Sequence, residues 1–226
     1  MPLSAARNNA NMPIMTSQPA SYNCPNCGAE LPLRFRHAKM AVCEHCDATI
    51  FLEDDGMRLA GTRSVLAEMP SLIRLGQAFS YDSRDYLPVG HLRYRYTLGR
   101  WDEWWILDQD GNGLWLSVDE GDFVFEKPLQ WDQLPTRLPA FRQLQLDQSV
   151  RLLEQDWTVT ERDQGRCEGF RGQLPARVAE GEHFFYAHLS GPDASLLTLE
   201  YARDGTVSAS RGYWVDPFEI RIGTGT

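Results

Sequence analysis

Four cysteines carry the clearest chemistry in the chain. Cys24-Pro25-Asn26-Cys27-Gly28 and Cys43-Glu44-His45-Cys46-Asp47 are two Cys-x-x-Cys pairs with 15 residues between them. Each pair can close a tight turn that aims two sulfurs at one ion. A hairpin between the pairs brings them together as a tetrahedral four-sulfur site for zinc. Gly28 and Asp47 follow their knuckles where a positive φ is needed, which glycine adopts freely and aspartate more readily than most residues. Four protein thiolates leave no open position for water or substrate, so the zinc is expected to be structural. It would supply on the order of 10 kcal/mol of folding free energy to a module too small for a core of its own. A rubredoxin-like iron would use the same four sulfurs, but no other redox feature accompanies them. A dithiol redox pair needs a reactive, exposed thiolate, and here both pairs are engaged. His37 and His45 are not needed as ligands once four thiolates fill the site.

Weaker constellations each have a plainer reading. Asp108-Gln109-Asp110-Gly111-Asn112-Gly113 places oxygens at alternate positions with glycine sixth, as a calcium loop does. Asp119 falls where that loop expects its last carboxylate. Asp108, Asp110, Asn112 and Asp119 are therefore candidate calcium ligands, although Asp-Gly and Asn-Gly between strands first indicate a hairpin turn. His91 to Trp101 interleaves bases and aromatics in the manner of a single-strand-binding platform. Alternation nevertheless puts Leu92, Tyr94, Tyr96 and Leu98 on one face and His91, Arg93, Arg95 and Thr97 on the other, the layout of a strand with one buried face. Trp101, Trp104, Trp105 and Trp115 cluster in 15 residues, and most of them should build a core.

No catalytic set emerges. There is no glycine-rich phosphate loop and no nucleophile elbow. Cys167 lacks a partner base, so a buried, idle thiol is the expectation. His183 and His188, five residues apart, fall on opposite faces of a regular strand and would share a metal only across a bulge. The acidic residues do not single out a catalytic pair.

The elements that position these residues are strands. Leu92–Leu98 alternates over seven positions. Trp104–Leu107 and Leu114–Val118 flank the Asp110-Gly111-Asn112-Gly113 turn, and further runs follow at Phe123–Phe125, Trp157–Val159, His183–Leu189, Leu196–Tyr201 and Thr206–Val215. Turn signals about every ten residues predict an all-β protein: a small N-terminal zinc ribbon followed by an antiparallel β sandwich or barrel. The expected divisions are a flexible tail over 1–20, the ribbon over 21–55 and a linker over 56–71 with a short helix at Ser64–Met69. The β body spans 72–218, with a subdivision near the proline-rich 128–140, and a tail covers 219–226.

Composition bounds the function. The chain has 226 residues, 42% hydrophobic and 23% charged, which is ordinary for a globular protein. No stretch approaches the roughly 18 apolar residues of a membrane helix, and Met1–Ser21 lacks the apolar run of a secretory signal. Five cysteines, four of them in close pairs, suit a reducing compartment, so a cytoplasmic location is expected. The formal net charge is −9, divided as +1 to Ala20, −3 over 21–55 and −7 beyond. That balance opposes non-specific nucleic-acid binding, which needs cationic surface.

In its order of features the chain resembles the bacterial zinc-ribbon family known as domain of unknown function 4178. The matching residues are the two cysteine knuckles, then Leu75-Gly76, Val89-Gly90, Trp101-Asp102-Glu103-Trp104, Leu114-Trp115-Leu116, Glu180-Gly181-Glu182 and Leu199-Glu200-Tyr201. They span nearly the whole chain after residue 20. The resemblance implies an N-terminal zinc ribbon joined to a Trp-rich β domain, and it brings no activity or catalytic residues to carry over. It also implies a context of membrane-remodelling proteins like phage shock protein A, small membrane proteins and enzymes like those of polyamine synthesis.

The leading expectation is a non-enzymatic zinc-ribbon adaptor in the cytoplasm, brought to the periphery of the inner membrane by a membrane-associated protein partner. Tyr94, Tyr96, Trp101 and Trp104 are its candidate contacts. One alternative is a nucleic-acid-binding ribbon using Arg93, Arg95 and Arg100. The other is a protein or enzyme for a small cationic, polyamine-related ligand in an acidic, aromatic-lined β pocket.

Overall fold

The computed structural model describes residues 21–53 and 56–223; the expected tail over residues 1–20 lies outside them. The described residues form strands, tight turns and three single-turn 3-10 helices, with no α-helix. β1 (Ser21–Asn23) and β2 (Glu30–Pro32) make one hairpin, and β3 (Met40–Val42), β4 (Ala48–Glu53) and β5 (Gly56–Arg63) make a meander. The knuckles sit in the turns at the tips of these hairpins. Leu31, Ala38, Ala41, Ile50 and Leu52 pack behind the sulfurs as a small core.

The body begins with β6 (Phe79–Tyr81), β7 (Arg84–Arg95), β8 (Arg100–Leu107), β9 (Gly113–Asp119) and β10 (Asp122–Pro128). It continues through β11 (Ser149–Leu152), β12 (Gln155–Leu174), β13 (His183–Ser190), β14 (Ser195–Tyr201), β15 (Val207–Val215) and β16 (Arg221–Ile222). Neighbours run β7-β8-β9-β10-β15-β14-β13-β12, and β12 pairs again with β7. Eight antiparallel strands thus close on themselves as a barrel. The seam lies at Arg166, whose backbone is opposite His183 on one side and Arg95 on the other. At that strand number the interior can be filled by side chains or hold one small ligand.

Alternation decides what lies inside. Trp101, Glu103 and Trp105 of β8 point inward, whereas Trp104 and Ile106 point outward. Unlike a sheet with one solvated face, this barrel is covered outside as well. Ile73, Phe79, Tyr86 and Ile220 pack over the outer side of β8–β10. Leu129, Leu134, Leu138, Phe141 and Leu144 from the excursion between β10 and β11 pack over the outer side of β12–β15. The run Trp104-Trp105-Ile106-Leu107 is buried throughout for this reason. The one-faced reading of Leu92–Leu98 fails on the same ground, since His91 and Arg93 are also buried, at 2% and 4% exposed.

The ribbon plugs one end of the barrel. Phe35, Met40, Val42 and Phe51 join Val89, Leu92, Trp105 and Leu174 in one interior cluster. β3 extends the barrel by pairing Ala41 with Gln173. The Gln173 side chain accepts a hydrogen bond from the Arg34 backbone N–H (2.7 Å) and donates one to the Pro32 carbonyl (2.8 Å), tying the first hairpin to the same strand. Glycine is required where β7 and β12 cross here. A Cβ at Gly172, whose φ is +71°, would stand 2.3 Å from the Val89 carbonyl oxygen.

Four expectations along the chain change. Residues 56–63 are a strand of the ribbon meander, not a linker, because β4 supplies a pairing edge. Ser64–Met69 is not helical. The Ser64 hydroxyl donates to the Phe170 carbonyl (2.8 Å) and accepts from its N–H (2.9 Å), which draws the segment along β12. The proline-rich stretch does not divide the body, since β10 and β15 pair across it from Phe123–Val215 to Pro128–Ser210. Toward the C-terminus, Ile220 is buried and β16 pairs with β6, so the expected tail is in part structured.

Candidate metal centre and barrel cavity

The two knuckles have the same backbone geometry. Gly28 N–H donates to the Cys24 carbonyl (2.8 Å), and Asp47 N–H to the Cys43 carbonyl (2.9 Å). Gly28 and Asp47 have φ of +78° and +58°, the left-handed turn their types allow. The four sulfurs all lie within 4.8 Å of one another. Cys24 Sγ to Cys46 Sγ and Cys27 Sγ to Cys43 Sγ are each 3.8 Å. A tetrahedral ion with metal–sulfur bonds of about 2.3 Å needs sulfurs about 3.8 Å apart, so the residues fit such an ion. Burial pushes the Cys43 thiol up to about 12, while the hydrogen bond from the Asn26 amide leads in drawing Cys46 down to about 6. A divalent cation at the centre favours the thiolate form of all four. Among the described residues no other set of three His, Cys, Asp or Glu side chains converges in this way.

The second site lies in the barrel, beyond the layer of Trp105 and Trp115 that meets the ribbon. It is a cavity of about 170 Å³ that opens to solvent at a mouth. Six carboxylates line it, those of Glu103, Asp119, Asp122, Glu126, Glu161 and Glu200, against a single basic group, His188. Its aromatic wall is formed by Trp101, Phe184 and Tyr186, with the Trp101 and Tyr186 ring centroids 5.3 Å apart. Asp122 and Trp214 are exposed at the mouth.

The deep carboxylates are withdrawn from water, Glu126 almost wholly and Glu103 and Glu200 in part. Burial lifts Glu103, Glu126 and Glu200 above the ordinary carboxylate range. Glu103 and Glu200 are lifted further by neighbouring negative charge, that of Glu126 acting on both. Trp101 Nε1–H donates to Glu103 (2.9 Å), the Ser117 and Thr198 hydroxyls to Glu126, and the Ser208 hydroxyl to Glu200 (3.1 Å). Nearer the mouth, Glu161 accepts from the Tyr186 hydroxyl (2.6 Å) and meets His188 Nδ1 at 2.9 Å. Burial opposes charge on both members of that pair. Their mutual attraction prevails, lowering Glu161 and raising His188. Burial raises Asp119, and its Oδ1 is shut off from solvent with no hydrogen-bond donor.

The other sequence candidates separate. Asp108 Oδ1 accepts from the backbone N–H of Asp110 (2.9 Å) and Asn112 (2.8 Å), closing the hairpin between β8 and β9. Asp119 is at the far end of β9, six residues and about 20 Å of strand away. These residues therefore do not form a calcium loop. Tyr94 and Trp104 are 7% and 4% exposed, inside the protein and unable to meet a partner; Trp104 is stacked flat on His91, with centroids 3.8 Å apart. Tyr96 and Trp101 are half-buried, and Trp101 faces the cavity. Arg93 binds Asp102, while Arg95 and Arg100 share Glu168, so the bases suggested for nucleic acid are all engaged by carboxylates. Cys167 is buried, and burial pushes its thiol up to about 12. His188 faces the cavity and pairs with a carboxylate, whereas His183 lies at the start of its strand.

Sequence reasoning offered an acidic, aromatic-lined pocket as an alternative but assigned none of the deep carboxylates to it, naming Glu103 and Glu200 only in the stretches that carry the family resemblance. Their signal is a spacing of two along strands, as in Trp101-x-Glu103 and Thr198-x-Glu200, which shows a shared face without saying that the face is the interior.

The model of a family described as a domain of unknown function (DUF4178) matches residues 74–217, and the chain belongs to that family. The match covers the barrel and leaves the cysteine ribbon outside it. No curated protein and no solved structure matches the chain. No helix among the described residues is long and apolar enough to cross a membrane.

Proposed function

We propose that this member of the DUF4178 family is a non-catalytic accessory protein whose ribbon is held by one structural zinc ion and whose barrel is a binding domain. The observation that carries the reading is the four-sulfur geometry, with two Sγ–Sγ separations of 3.8 Å. Four thiolates complete a zinc shell, so the metal would act through folding and leave no site for substrate. The packing of Phe35, Met40 and Val42 into the barrel interior supports a ribbon that works as a plug rather than a free recognition finger. The adaptor role is assigned to a protein partner. Exposed Val65, Met69 and Leu72 on the segment joining ribbon to barrel support contact there, at 76%, 50% and 42% exposed.

The test is metal content together with stability. The purified chain should hold one zinc per molecule, and Cys24→Ser should lose it with a drop in melting temperature. A chain purified with iron, or a Cys24→Ser chain keeping both zinc and full stability, would overturn the assignment. For the partner, recovery from the source cells should be specific with the native chain and absent with Val65→Asp/Met69→Asp. Equal recovery with both would remove this surface from the proposal.

A further inference from the structure

The barrel cavity has no part in the metal chemistry, yet it gathers carboxylates on walls partly withdrawn from water. Six carboxylates line it against one imidazole: Asp122 is exposed at the mouth, Glu161 is paired with His188, and Glu103, Glu126 and Glu200 are pushed toward their neutral forms because burial gives their charges no counter-charge. The excess points to a cationic occupant. A divalent metal ion is the wrong kind, since no three carboxylates here bring their oxygens within 4.8 Å of one another. Instead the acids are spread along the barrel. Glu126 is paired with Trp115, and Asp119 stands four residues further along the same strand, about 13 Å away. Aromatic faces line the path between these levels, with Trp101, Phe184 and Tyr186 in mutual contact at 5.3 to 6.3 Å. Such faces attract ammonium groups and also cover alkyl chain. Asp119 Oδ1 lacks any donor of the protein's own.

We infer that the cavity binds an elongated organic cation with at least two ammonium groups. The deep ammonium would be held by Glu103, Glu126 and Glu200, the outer one by Asp119 and Glu161, and the alkyl chain between them by Trp101 and Tyr186. The number of carboxylates selects for charge, and their spread over different levels of the barrel selects for length. A compact monoamine satisfies only one end. The raised affinity of Glu103 and Glu200 for protons is what such an occupant would reverse on entry.

The test is titration calorimetry on the full-length, metal-loaded chain with 1,4-diaminobutane, butylamine and calcium chloride at low salt. The diamine should bind at least tenfold more tightly than butylamine, with no calcium heat. Glu200→Gln should weaken the diamine tenfold or more. Asp119→Asn should weaken the diamine while leaving butylamine unchanged, and because Asp119 stands at the level of Trp101, away from the deep carboxylates, it carries the test should the deep variant fold poorly. No diamine heat, equal affinity for both amines, diamine binding unaltered in both variants, or a calcium response instead would each overturn the inference. The metal-loaded chain is used throughout, so failure here leaves the zinc assignment standing.

Discussion

Glu161 and His188 lie opposite each other across the β12–β13 pair, and their side chains meet at 2.9 Å on the inner side of the barrel. A bulge between Val159 and Glu161 shifts the register just before them, so Glu161 faces the cavity while Val159 packs outside. The pair is the one place in the cavity where opposite charges neutralise each other.

That pairing has a pH signature. His188 is raised above its ordinary value of 6.5, so its contribution is full below pH 6.5 and fades as pH rises through the folded value. Glu161 is lowered below 4.5, so its contribution is full above pH 4.5 and fades as pH falls through its folded value. The pair therefore stabilises chiefly between those limits, by less than about 1 kcal/mol because both side chains are partly exposed. His188→Gln should flatten the stability profile above pH 6.5. Histidine NMR titration checks the direction, since a His188 midpoint below 6.5 would contradict the geometry.

The deep carboxylates have the opposite effect. Burial raises Glu103, Glu126 and Glu200, so the folded state keeps protons that the unfolded chain has released. Stability should decline as pH rises above about 4.5 through their folded values. Glu200→Gln removes one of these charges while keeping the shape. Its melting temperature should exceed that of the native chain at pH 8, with a smaller gain at pH 5. A loss at pH 8 would mean that the carboxylate is compensated in a way the structure does not contain.

Metal removal should affect more than the ribbon. Because Phe35, Met40 and Val42 fill the barrel end, loss of the ion would open the Trp105 layer to water. A chelator should lower the melting temperature of the whole chain and expose apolar surface to a dye such as ANS. A barrel transition that stays in place while only a ribbon signal disappears would show the two parts to be independent.

The β7–β12 seam tolerates no side chain at its crossing. Gly172→Ala would force a Cβ against the Val89 carbonyl at a φ of +71°. The cost should be about 1–3 kcal/mol, measured by urea denaturation. Gly28→Ala has the same sign of φ but nothing within 4 Å, so it should cost less.

The sequence is most legible where chemistry is local. Cysteine spacing shows the ribbon, and Gly28 and Asp47 take the positive φ that their types suggest. Asp108-to-Gly113 makes the expected hairpin, and its calcium-like pattern arises because the oxygens that bind an ion also cap backbone N–H groups. Barrel closure is not legible, since it depends on pairing Gly90 with Gly172, far apart in the chain. An acidic, aromatic-lined pocket is legible as a general expectation, but the residues that line it are not, for a related reason. Alternation groups Trp101 with Glu103, and Asp102 with Trp104, but both sides of β8 are covered by protein. A half-buried aspartate bound to His91 and Arg93 and a cavity-facing glutamate therefore sit side by side in Trp101-Asp102-Glu103-Trp104 with no local mark to tell them apart.

The way β12 closes the barrel and also carries the ribbon's pairing edge fixes an order of events during synthesis. All four clustered cysteines have been made once Cys46 is in place, but the ribbon's partner residues Gln173 and Leu174 come more than a hundred residues later. A nascent chain therefore holds Phe35, Met40 and Val42 uncovered while the ribosome adds most of the barrel. Non-local pairing of this kind is slow and leaves apolar surface open to wrong contacts. Early metal uptake would protect that interval, by fixing the hairpins before their final seat exists.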